Sequence, residues 1–98
     1  MRHETFRAMI ARQVFYEGRV QGVGFRVTCK HIARGYEVVG CVRNLADGRV
    51  ELQCSGEVAE VEGFLEAIAE SELKSHIKSV TAVPIPPLEG LRGFEVAV

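Results

Sequence analysis

Two runs of alternating residues around an Asp-Gly turn constrain the fold most tightly. Val38, Gly40 and Val42 alternate with Val39, Cys41 and Arg43, while Val50, Leu52 and Cys54 alternate with Arg49, Glu51 and Gln53. Between them Leu45-Ala46-Asp47-Gly48 carries the signal of a β-hairpin turn. A hairpin with one apolar face needs other elements to cover it, and both flanks supply one. Upstream, Phe25, Cys29, Ile32 and Ala33 recur at helical spacing until Gly35 stops them; downstream, Val58, Val61, Phe64, Leu65 and Ile68 form an apolar stripe. Glu57, Glu60, Glu62, Glu66 and Glu70 lie outside that stripe, which makes the second helix amphipathic. Gln13–Glu17, ending at Gly18, reads as a strand before the first helix, and Ile77–Val83 as one after the second, its irregular alternation predicting a bulge. A Pro84-x-Pro86-Pro87 loop follows, and Phe94, Val96 and Val98 alternate in a short closing strand. The order β-α-β-β-α-β predicts an α+β, ferredoxin-like sandwich, with both helices packed on one face of a mostly antiparallel sheet and a short extra C-terminal strand. The right-handed crossover rule places the first and third strands centrally.

Ninety-eight residues allow one core and one compact site. Net charge is −1, yet residues 1–50 hold nine Lys/Arg against four acids and residues 51–98 three against nine. An anion site therefore belongs to the first half, whereas the near-neutral whole disfavours nucleic-acid and membrane surfaces as partners. Asp47 is the single aspartate, which argues against paired-aspartate chemistry. Cys29, Cys41 and Cys54 form no C-x-x-C pair, so they suggest neither zinc nor a secreted disulfide framework; reduced thiols in the cytoplasm are expected, with one bridge left open. Residues 1–11 lack an apolar region long enough for a leader or span and read as a polar N-terminal extension.

The informative segment is Gly18-Arg19-Val20-Gln21-Gly22-Val23-Gly24-Phe25-Arg26, a glycine-punctuated turn from a strand into a helix. Such a turn points successive backbone N–H groups into one concavity at the positive end of a helix dipole, which suits a phosphate-sized anion. A P-loop needs Gly-Lys-Ser/Thr, which is absent, and Gly22-Val23-Gly24-Phe25-Arg26-Val27 lacks the third glycine of a dinucleotide fingerprint. On glycine spacing alone, a tight structural turn is the simpler reading.

GRVQGVGFR, followed eighteen residues after its arginine by the asparagine of CVRNLADGRVE, resembles the acylphosphatase family, and the likeness runs from about Val14 to Val98. The resemblance makes residues 12–98 an acylphosphatase-like domain and implies hydrolysis of the carboxyl–phosphate bond of small acyl phosphates without metal or other cofactor. It implies that Arg26 is the catalytic, phosphate-binding arginine, that Asn44 orients the attacking water, and that the backbone of Gly18, Arg19, Val20, Gln21, Gly22, Val23 and Gly24 cradles the phosphate. Expected partners are a small acyl phosphate or inorganic phosphate, and the expected state is a cytoplasmic monomer. The alternative is a non-catalytic phosphate- or carbamoyl-phosphate-binding module.

Residue chemistry agrees with that assignment. A cation in the first turn of a helix opposes the dipole, so Arg26 is better explained by a bound anion than by helix stability, although a first-turn Arg is commonly a solvated surface residue. Its planar fork can hold two phosphate oxygens, which Lys cannot do. Asn44 ends a strand before a turn, where Asn also serves plain turn chemistry. Its amide is no base near neutrality, so it can orient a water but not deprotonate it. Asp47-Gly48 is turn chemistry, and Arg19 and Arg43 add positive field or solubility. His31 reads as a helix-surface residue, and His3 and His76 have no ligand-spaced partners. Residues 49–53 offer no aromatic pair for stacking RNA bases.

Overall fold

The computed structural model describes residues 8–97; residues 1–7, with His3 and most of the expected polar extension, and Val98 lie outside the described residues. The elements are β1 (Met9–Gly18), α1 (Phe25–Ala33), β2 (Val38–Asn44), β3 (Val50–Glu57), α2 (Val58–Ala69), a 3-10 turn over Glu72–His76, β4 (Ile77–Ile85) and β5 (Phe94–Val96). The sheet order is β4-β1-β3-β2-β5, so β1 and β3 are internal as expected from the crossover rule. All pairings are antiparallel except that of β5 with β2. This is the ferredoxin-like α+β arrangement.

Each helix buries one stripe on the same sheet face. Phe25, Cys29 and Ala33 of α1 and Val61, Phe64 and Ile68 of α2 meet Val14, Tyr16, Val38, Val42, Val50, Leu52 and Cys54 of the sheet. Burying a side chain of Val, Leu or Phe size contributes about 1.5–3 kcal/mol, so this layer is the main source of stability. Two ring pairs fix the helices: Phe25 sits 5.0 Å from Tyr16, and Phe64 sits edge-on 5.2 Å from Phe94. The first of these anchors the residue immediately before Arg26.

Two boundaries depart from the sequence reading. β1 reaches back to Met9, so residues 9–11, read as the end of the polar extension, pair with Glu57, Gly56 and Ser55, and Ala11 is fully buried. β4 continues through Pro84 and Ile85, which were read as loop; on an edge strand Pro can lie with its donor-less nitrogen outward. The expected bulge is present: Glu17 opposes Ser79 and Gly18 opposes Ile77, leaving Lys78 as the extra residue.

Glu51, which alternates with the apolar residues of β3, and Ser55 are both buried on the open face of the sheet. Ser55 Oγ donates to the Ile10 carbonyl and accepts from the Leu88 N–H, because the chain after β4 folds over that end. Burial works against the Glu51 charge. Hydrogen bonds from Gln13, Arg43 and Gln53 outweigh it and hold the carboxyl below its ordinary range.

All three cysteines are free thiols. Burial pushes Cys29 and Cys54 up to about 12, and Cys41, half-buried on the open face, is raised by burial and by Glu51. Because the thiolate is the reactive form, the folded protein should take up a single equivalent of iodoacetamide near pH ~8, more slowly than a free thiol of pKa ~8.5. Full labelling should require denaturant. Peptide mapping that finds Cys29 or Cys54 alkylated as fast as Cys41 in native buffer would contradict this.

Candidate active site

The segment between β1 and α1 turns through two glycines in the left-handed region, Gly22 at φ 79° and Gly24 at φ 77°. A Cβ at either would meet no protein atom within 4 Å, so glycine is required here by backbone conformation and not by crowding. Gly24 caps α1, and the first intrahelical bond runs from the Thr28 N–H to the Gly24 carbonyl at 3.0 Å. The N–H groups of the helix start before Thr28 therefore lack intrahelical acceptors, and the first turn holds no acidic side chain to compensate the dipole.

Val20, Gly22, Gly24, Phe25, Arg26, Val27 and Asn44 line a recess of about 100 Å³. Arg26 and Asn44, eighteen residues apart in the chain, thus share one concavity. The Arg26 side chain is positioned by a 3.1 Å hydrogen bond from Nη1 to the carbonyl of Ala97, just past β5. One bond leaves most of the five guanidinium N–H donors for a ligand. Asn44 is the last residue of β2, and its Oδ1 is the buried side-chain oxygen that has no hydrogen-bond partner among the described residues. An unpaired buried acceptor costs about 1–3 kcal/mol, and this one belongs to a residue that lines the recess.

Of the expected cradle residues, Val20, Gly22 and Gly24 line this recess. Gly18 ends β1 and pairs with Ile77, and the Arg19 N–H is used on the His76 carbonyl at 2.9 Å. Val23 is exposed, and Val20 lines the recess although its side chain is fully buried. The Gln21 side chain turns away to the β2–β3 hairpin, donating from Nε2 to the carbonyls of Leu45 at 2.8 Å and Arg49 at 2.9 Å. Phe25 and Val27, which sequence reasoning did not place in the site, line the recess because the helix begins inside it.

Nearby cations are otherwise engaged. Arg43 is paired with Glu51 at 2.6 Å, and Arg49 with Asp47 at 2.9 Å while its guanidinium lies 4.6 Å from the Phe15 ring centre. The Arg49 N–H also donates to Asp47 Oδ1, the expected turn chemistry, and Arg49 holds the Asp47 carboxyl below its ordinary range. His31 is exposed on α1. Among the described residues no three His, Cys, Asp or Glu side chains converge, and no helix is long and apolar enough to cross a membrane.

The family model described as acylphosphatase matches residues 12–96. An acylphosphatase from Archaeoglobus fulgidus is 37% identical over 91% of this chain and 99% of its own. One from Haloarcula marismortui is 43% identical over 85% of this chain and 90% of its own. The crystal structure of acylphosphatase from Bacillus subtilis superposes with a TM-score of 0.82 at 30% identity, over 91% of this chain and 99% of that one.

Proposed function

The chain belongs to the acylphosphatase family, and from that premise we propose how its residues hydrolyse the carboxyl–phosphate bond of small acyl phosphates. The observation that carries the mechanism is the convergence of Arg26 and Asn44 on the recess at the start of α1. The phosphoryl group occupies that recess, its oxygens held by backbone N–H groups of the Gly22–Val27 stretch and by the Arg26 fork. A water hydrogen-bonded to the Asn44 carboxamide has a lone pair aimed at phosphorus. The water oxygen bonds to phosphorus as the bond to the acyl oxygen breaks. The carboxylate leaves with the bonding electrons, and the water proton passes to a phosphate oxygen. Phosphoryl transfer needs mainly positioning and charge neutralisation, and a carboxylate is a good leaving group, so no side chain has to act as a base.

We propose further that the protein works as a cytoplasmic monomer, with neither metal nor other cofactor. Arg26 and the helix N-terminus supply the positive charge that a metal would otherwise bring. The expected result is hydrolysis of acetyl phosphate at a rate unchanged by EDTA and nearly flat between pH ~6 and ~8, since no group in the mechanism titrates there. A bell-shaped profile centred in that range, or activity lost to the chelator, would refute the mechanism. Binding of inorganic phosphate with no turnover of acetyl phosphate would favour the carrier-module alternative.

A further inference from the structure

From its two bonds to the β2–β3 hairpin, we infer that Gln21 is a positioning residue for the hydrolytic step, its carboxamide setting the distance between the bound phosphate and the water held by Asn44. The inference rests on the proposed roles of the recess and of Asn44.

The need for such a brace follows from the sheet order. The phosphate recess is built on the segment that leaves β1, and Asn44 ends β2, yet β1 and β2 are not neighbours: β3 lies between them. Two strand spacings of about 4.8 Å separate the strands that carry the two halves of the site. Their relative position is inherited through β3 unless something ties the two ends directly. Gln21 sits within the recess-forming segment, between the buried Val20 and the left-handed Gly22. Its side chain reaches across the start of β3 to the mouth of the hairpin.

The chemistry of the brace is specific. Both acceptors are carbonyl oxygens, so only the NH₂ end of the carboxamide can face them, and its two protons match the two bonds of 2.8 and 2.9 Å. Each acceptor already takes one backbone donor: the Leu45 carbonyl accepts from the Gly48 N–H at 3.1 Å, and the Arg49 carbonyl from the Leu45 N–H at 2.8 Å. Gln21 fills the second lone pair of each. Leu45 directly follows Asn44, so a hairpin mouth held at Leu45 and Arg49 also holds the residue that orients water. Ser or Thr would bring one donor on too short an arm, Met would match the length with no donor, and Glu would turn acceptor oxygens toward acceptors.

A positioning role predicts loss of turnover without loss of phosphate binding, and an effect that vanishes when Asn44 is absent. Turnover of acetyl phosphate and the inhibition constant of inorganic phosphate would be measured for the wild type, Gln21→Met, Asn44→Ala and the double variant. Gln21→Met should lower kcat by roughly 10- to 100-fold, the scale of a sub-ångström to 1 Å misplacement. Its phosphate inhibition constant should stay within a factor of about two. In the Asn44→Ala background the same substitution should lower kcat by no more than about twofold. Gln21→Glu gives a second readout on the same bonds: at neutral pH it should fall below Gln21→Met, and it should regain activity toward acid, where a protonated carboxyl can donate once again.

Additive effects in the double variant, or equal loss of kcat and phosphate affinity in Gln21→Met, would overturn the inference and leave Gln21 as a general stabiliser of the loop. The two readings fail differently. Wild-type protein that does not hydrolyse acetyl phosphate, or Asn44→Ala that no longer binds phosphate, would refute the proposed mechanism. An additive cycle alongside an intact wild type and a phosphate-binding Asn44→Ala would refute the Gln21 role alone.

Discussion

Arg26→Ala is expected to abolish phosphate binding and to lower turnover of acetyl phosphate by roughly 10³-fold or more, the range seen when an arginine that stabilises a transferring phosphoryl group is removed. The fold should survive. Arg26 lies in the first turn of α1, where its charge opposes a dipole that no acidic side chain offsets. Removing that charge returns about 0.3–1 kcal/mol, against the loss of a half-exposed hydrogen bond to the Ala97 carbonyl worth about 1 kcal/mol. Thermal melts should therefore shift little without ligand. With inorganic phosphate at about 100 times its dissociation constant, the wild type gains about 2.7 kcal/mol, and the variant should gain nothing. Arg26→Lys should recover little, since an ammonium reproduces neither the fork that spans two phosphate oxygens nor the geometry of the Ala97 contact. A variant that still shows the full phosphate-induced stabilisation would remove Arg26 from the site.

Asn44→Ala is expected to separate binding from chemistry. Turnover should fall by roughly 10²–10³-fold, the usual effect of losing one oriented polar group at a reacting centre, while the stabilisation by phosphate persists. Its effect on folding should run opposite to its effect on rate. Among the described residues Oδ1 is buried without a partner, so truncation removes an unsatisfied acceptor that costs about 1–3 kcal/mol, offset in part by the small cavity left behind. A melting temperature equal to or above that of the wild type, in a protein that binds phosphate but hardly turns over, is the expected combination. Phosphate binding lost in step with turnover would make Asn44 part of the cradle and not of the water site. Both variants express one design: the recess keeps an uncompensated cation and an unpaired oxygen that folding alone would not favour.

Much of this was legible in the residues because it is written locally. The periodicities of Phe25, Cys29 and Ala33 and of Val61, Phe64 and Ile68 specify helices. The alternation at Val38–Val42 and Val50–Cys54 around Asp47-Gly48 specifies a hairpin whatever lies elsewhere in the chain. Where the reading slipped, a distant segment decided the outcome. Glu51 looks outward by alternation, yet Gln13 and Arg43 come from other elements to satisfy it in a buried position. Met9–Ala11 looks like the end of a polar tail until β3 pairs with it. Pro84 and Ile85 look like a loop, but a strand that forms the sheet edge tolerates proline. Within the proposed site, the glycine turn was legible from residue type and spacing, and Arg26 and Asn44 from the resemblance to the acylphosphatase family. The engagement of the Arg19 N–H by His76 was not, because that acceptor lies fifty-seven residues away.

The sequence by itself determined the class of fold, since periodicity and turn residues are properties of short stretches of chain, and its resemblance to a family pointed to the two side chains proposed for the chemistry. Only the tertiary structure decided that Arg26 is steadied by the Ala97 carbonyl, that Asn44 Oδ1 is buried without a partner among the described residues, and that the Gln21 side chain bonds the mouth of the hairpin. Each of these depends on which strand lies between which, and strand order is set by how two helices and five strands close over one core.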